Sequence, residues 1–119
     1  MRAPLSLVAA LAAALGACAG GPPAARQCPD DAPTTCPGPA PRFSTDVAPL
    51  IATHCAKCHT PGGQAEKVPF GSYDEIAPLA GDMMLELETC EMPPPPEPAL
   101  DATQRATLFA WITCGALDD

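Results

Sequence analysis

This 119-residue chain has no run of basic side chains: six Lys and Arg stand against 14 Asp and Glu, for a formal net charge of −8. Electrostatic binding of nucleic acid needs a basic patch or stripe, so no nucleic-acid partner is expected. It also lacks an apolar run of the roughly 20 residues that a membrane-spanning helix requires. The Leu5 to Leu15 stretch is eleven residues long. Histidine is scarce, with only His54 and His59. There is thus no reserve of imidazoles for a compact zinc cage or for acid–base work across a cofactor. No strand pattern precedes the one Cys-x-x-Cys pair, as a thioredoxin-like βαβ unit would demand.

What the chain does have is seven cysteines, and two of them lie in Cys55-Ala56-Lys57-Cys58-His59. Cys-x-x-Cys-His is the spacing at which two thiols attach to one haem through its vinyl groups, and the following His becomes the proximal iron ligand. One covalently bound haem c is therefore expected, on Cys55, Cys58 and His59. A zinc site would need two more ligands, and His54 lies too close to Cys55 to close a tetrahedron. A redox dithiol remains the other reading of the pair.

Residues 1–17 have the form of a secretion signal, with Arg2 as the positive n-region and the short apolar run as its core. Leu15-Gly16-Ala17-Cys18 resembles the lipobox of bacterial lipoproteins. That resemblance implies removal of the signal, acylation of Cys18, and a protein tethered to a membrane of the bacterial cell envelope, facing the periplasm or exterior. Several acyl chains hold firmly where one holds marginally. Residues 18–42 then read as the lipidated Cys and a tether. Seven of the 24 positions from 19 to 42 are Pro, and such a segment cannot bury enough apolar surface to offset its ordering entropy. Cys28 and Cys36, eight apart, are a candidate disulfide closing a small loop inside this tether.

The folded part, residues 43–119, is near the size at which a hydrophobic core alone is marginal, and a buried haem would add apolar surface to pack on. Its pattern is all-α. Val47, Leu50, Ile51, His54, Cys55 and Cys58 follow helical spacing, with Ser44 as N-cap, Asp46 at the positive helix end, Pro49 in the first turn, and an end at His59. Thr60-Pro61-Gly62-Gly63 breaks this helix and offers a carbonyl, that of Pro61, to the free N–H of a proximal imidazole. Ser72-x-x-Glu75 has capping-box form and starts a short helix from Tyr73 to about Ala80. Phe70 and Tyr73 are aromatic candidates for haem neighbours or plain core. Asp101 with Gln104 caps a last helix whose Leu108, Trp111 and Ile112 share a face that packs across the first helix, and Gly115 stops it.

Thr89-Cys90-Glu91-Met92, followed by four prolines, holds the proposed sixth iron ligand. A thioether is a soft neutral donor that favours ferrous iron, and the prolines stiffen an extended loop behind it. Met92 is the choice. Met83 and Met84 read as part of a short helix with Leu85 and Leu87 and are its rivals, as is His54 from the proximal side.

Taken together, Phe43 to Leu50, the Cys55–His59 motif, Met92-Pro93-Pro94, Leu108 through Trp111-Ile112 and Gly115-Ala116 resemble a small monohaem class I cytochrome c domain. The resemblance covers nearly all of residues 43–119. It implies a helical fold wrapped around one haem, His59 proximal and Met92 distal, one-electron transfer with a redox partner protein, and attachment by cytochrome c maturation machinery. No catalytic residues are implied. Cys90 and Cys114 depart from the simplest pattern and make a candidate disulfide that would pin the Met92 loop, although pairs swapped with the tether remain open. A ligand sensor or peroxide-reactive haem protein with a labile sixth ligand is the second class. A metal-binding or dithiol structural lipoprotein is the third.

Overall fold

The computed structural model describes residues 26–119; the signal segment and Cys18 lie outside the described residues. Four α-helices carry the fold: α1 (Ala48–His54), α2 (Tyr73–Ile76), α3 (Ala80–Glu88) and α4 (Ala102–Thr113). No strand occurs among the described residues, which agrees with an all-α class.

A π-helical turn, Phe43–Val47, leads into α1. Ser44 is inside this turn and caps nothing; its N–H and hydroxyl both donate to the Asp119 carboxylate at the far end of the chain. Asp46 instead closes the turn, accepting from the Arg42 N–H at 2.7 Å. Pro49 falls in the first turn of α1, where a missing N–H costs nothing. The helix ends at His54, earlier than the expected His59, and residues 55–58 continue as separate turns.

Ser72 occupies the N-cap of α2 with extended backbone, but its side chain makes no capping bond. Only the other half of the expected box forms, displaced by one residue: the Glu75 carboxylate accepts from Gly71 N–H at 2.7 Å. Pro78 lacks the donor an α-helix needs, so a 3-10 turn, Ala77–Leu79, separates α2 from α3. At α4 the capping box is complete, with Gln104 N–H to Asp101 Oδ1 at 2.8 Å and Asp101 N–H to Gln104 Oε1 at 2.9 Å. Gly115, at φ +103°, turns the chain after α4 in the left-handed region that glycine favours.

Helix α4 packs on the Phe43–Val47 turn that opens the first helical segment and on α3, and its Gln104 reaches His54 at the end of α1. Trp111 is fully buried, with its ring 5.7 Å from that of Phe43 and its Nε1–H donated to Leu117 O at 2.9 Å. Phe43, Val47, Ile51, Ile76, Leu108 and Phe109 belong to this core, with Met83, Leu87, Leu100 and Ala116 beside them. Tyr73 belongs here too: it meets Phe43 edge-on at 5.1 Å and donates to Ala116 O at 2.8 Å.

The segment from Arg26 to Arg42 has no helix or strand, as its proline content predicts, yet it is fastened along the helical body. Two disulfides hold it, Cys28–Cys90 and Cys36–Cys114. Both candidate pairs from the sequence, Cys28–Cys36 and Cys90–Cys114, are thereby corrected. Eight residues rich in proline span about 25 Å when extended, far beyond the ~7 Å limit between bridged Cα atoms. Cys90 follows the end of α3 and Cys114 the end of α4, and the strap passing both ends supplies their partners. Closing loops with sequence separations of 62 and 78 restrains the unfolded chain by about 4 kcal/mol each on the entropic account.

Candidate haem site

The chain leaves α1 at Cys55 with bonds that still follow the helix: Cys55 N–H and Ala56 N–H both donate to Ile51 O at 2.9 Å. Cys58 and His59 N–H then donate to Cys55 O at 3.1 and 3.0 Å, folding the motif into a compact turn. The loop that follows wraps back on it. Ala65 N–H reaches Cys58 O at 2.9 Å and Phe70 N–H reaches His59 O at 2.8 Å. Gly63 passes so close that a Cβ there would lie 2.3 Å from Cys58 O, so no side chain fits without moving backbone.

This wrapping sets the His59 ring. Its Nδ1 lies 2.8 Å from Val68 O, and the Phe70 ring stacks on it at 4.2 Å with an interplanar angle of 11°. The acceptor is therefore Val68 and not Pro61, because the second loop rather than the first turn comes back beside the imidazole. With the proton held on Nδ1, the lone pair resides on Nε2.

His59, Cys55 and Cys58 line one cavity of about 830 Å³, and so does Met92. Its wall is largely apolar, with Val68, Phe70, Leu79, Leu87, Leu100 and Leu108 among its side chains. Cys55 and Cys58 are the two free cysteines among the described residues. Burial pushes the Cys55 thiol up to about 11, so it stays neutral at physiological pH.

Of the rival ligands, Met83 and His54 also reach the cavity wall, and Met84 does not. Met83 is buried in α3, whereas Met92 is 38% exposed on the loop after it. His54 is engaged with Gln104, their Nε2 atoms 3.1 Å apart, so the amide donates to the ring. Tyr73 is absent from the cavity wall, and Phe70 is the aromatic that serves it.

The donor set fits one covalently held haem. Two unpaired thiols at the required spacing, an imidazole with one nitrogen fixed by a carbonyl and a soft thioether share one apolar cavity large enough for a cofactor. No group of three or more His, Cys, Asp and Glu side chains among the described residues is placed to hold a bare metal ion.

Sequence reasoning did not reach several residues that organise the site. Lys57, between the two thiols, pairs with Glu97 in the Met92 loop and links the two sides of the cavity; the carboxylate holds its ammonium above the ordinary value. Arg105 is 5% exposed and joins the strap to α3 from within. Its signal was available, since Arg105, Leu108, Phe109 and Ile112 follow the i, i+3, i+4, i+7 spacing of one helix face. No family model, no curated protein and no solved structure matches this chain.

Proposed function

We propose that this chain is a membrane-tethered c-type cytochrome that carries single electrons through one haem, attached at Cys55 and Cys58, with His59 and Met92 as axial ligands. The observation that carries the reading is the convergence of both free thiols, the imidazole and the thioether on one apolar cavity. When bound, haem supplies a one-electron ferric/ferrous couple.

The chain's own residues do the rest. Val68 O accepts the Nδ1 proton of His59, which fixes ring rotation and raises the basicity of Nε2. Phe70 stacks on the ring and blocks its reorientation. The largely apolar wall would give a bound haem a surface of low polarity to pack on. A thioether from Met92 would favour the ferrous form and raise the potential. With His59 and Met92 both holding the haem, the chain would carry out no substrate chemistry of its own, and its partner would be another redox protein.

Two disulfides suit an oxidising compartment, in keeping with export. No helix of the described residues is long and apolar enough to cross a membrane, and the proposed attachment is through acylated Cys18. A second reading, a sensor whose sixth ligand leaves readily, draws on the 38% exposure of Met92.

The test is production of the mature protein in a host that carries cytochrome c maturation machinery. Haem that stays with the polypeptide under denaturing conditions, and is lost in a C55A/C58A double variant, supports the proposal. A low-spin ferric spectrum then favours the carrier, and a high-spin spectrum that shifts with added ligand favours the sensor. Absence of bound haem in the wild type overturns both.

A further inference from the structure

The Met92 loop has little means of holding itself. Five of the seven residues after Met92 are proline (Pro93, Pro94, Pro95, Pro96 and Pro98), so they have no N–H to donate. Met92 N–H makes one long bond, to Glu86 O at 3.3 Å, and Glu97 N–H donates to Pro94 O at 2.9 Å. The remaining carbonyls of such a loop are left to water or to donors from elsewhere in the chain.

Those donors come from the strap. Arg26 Nη1 donates to Pro93 O at 2.7 Å and Nη2 to Glu97 O at 2.8 Å, so one guanidinium grips both ends of the proline run. Two residues on, Cys28 is bonded to Cys90, itself two residues before Met92 and strained into the left-handed region at φ 56°. Behind this contact Arg105 donates to Leu87 O at 2.8 Å and to the strap's Asp31 at 2.7 Å. A cavity of only about 120 Å³, bordered by Arg26, Cys90, Met92, Pro93 and Arg105, separates strap from loop.

We infer that the Arg26–Cys28 strap is the positioning element for Met92: Arg26 spans the proline run and the Cys28–Cys90 bond fixes the loop's entry, so that the thioether is presented to the cavity. The inference rests on Met92 being the distal ligand. The planar fork of Arg matters, because two carbonyls bridged by one rigid guanidinium cannot be bridged the same way by a Lys ammonium. The part of the chain that the sequence marks as a mere tether is thus a working part of the site.

The test uses the full mature haem protein with R26Q, R26K and C28S/C90S. Two readouts apply: displacement of Met92 by added imidazole, followed through the weak near-infrared sulfur-to-ferric-iron band, and amide hydrogen exchange over residues 91–97. Loss of a charge-assisted hydrogen bond is worth a factor of about ten. R26Q should therefore be displaced at about tenfold lower imidazole and show about tenfold faster exchange at Met92 and Glu97. R26K should fall between R26Q and wild type, and C28S/C90S should exceed R26Q. If the wild type shows the band and both R26Q and C28S/C90S match it in both readouts, the strap has no positioning role. If the wild type shows no such band, Met92 ligation itself fails, and this role for the strap fails with it.

Discussion

Arg105→Ala should be among the most damaging single changes outside the Cys55–His59 motif. The side chain is charged and yet 5% exposed, at the junction of strap, α3 and α4. Its Nη1 donates to Leu87 O at 2.8 Å, and a charged donor on a buried carbonyl is worth about 2 kcal/mol. Its Nε and Nη2 hold Asp31 at 3.0 and 2.7 Å, but that carboxylate is 32% exposed, so water recovers most of the loss and the pair adds about 1 kcal/mol at most. The guanidinium lies 4.9 Å over the Phe109 ring, and its stem fills space that Ala leaves open, for about 1 kcal/mol more. The sum, about 3–4 kcal/mol, corresponds to a fall in Tm of about 15–25 °C for a domain of this size. Urea denaturation with the disulfides intact measures it, with Asp31→Asn as the comparison, expected to cost less than about 1 kcal/mol. Arg105→Met should recover part of the loss by restoring packing. A cost below about 1 kcal/mol for Arg105→Ala, or an equal cost for the two positions, would refute the assignment of Arg105 as the internal junction.

Three further outcomes follow from the same structure. The Arg105 hydrogen bond holds the Asp31 carboxyl below its ordinary value, so its contribution is present above pH about 4 and is lost as pH falls through the folded-state value; acid titration of stability should be shallower in D31N than in wild type. Gly63→Ala places a Cβ 2.3 Å from Cys58 O and 2.8 Å from its carbonyl carbon, and should cost more than about 2 kcal/mol and reduce haem loading, measured as absorbance per protein. Cys18→Ser should release the protein from the membrane fraction, and unchanged retention would remove the lipid anchor from the proposal.

The helices were legible where periodicity and caps agree. Asp101 with Gln104 and the Leu108–Trp111 face fixed α4, and the run with Leu85 and Leu87 marked α3, because local spacing decides both. What local pattern could not reveal was any contact made across 60 or more residues. The strap's cysteines look like a local pair until its extended chain is laid beside the ends of α3 and α4. The early end of α1 has a nearer cause that helical periodicity also cannot show: the Cys55–His59 turn is shaped by bonds returning from the loop at Ala65 and Phe70. Val68 as the partner of His59 was hidden for that reason, whereas the thiols, the imidazole and Met92 could be named from the motif and the proline loop alone.

The proposed function depends most on Met92, which would hold the haem iron together with His59. The ferric near-infrared spectrum of the haem-loaded wild type, M92A and M83A addresses it most directly. The sulfur-to-iron band is expected in wild type and M83A, and its loss is expected in M92A with haem still attached and the reduction potential lowered. A band that survives in M92A, or that disappears in M83A alone, would contradict it.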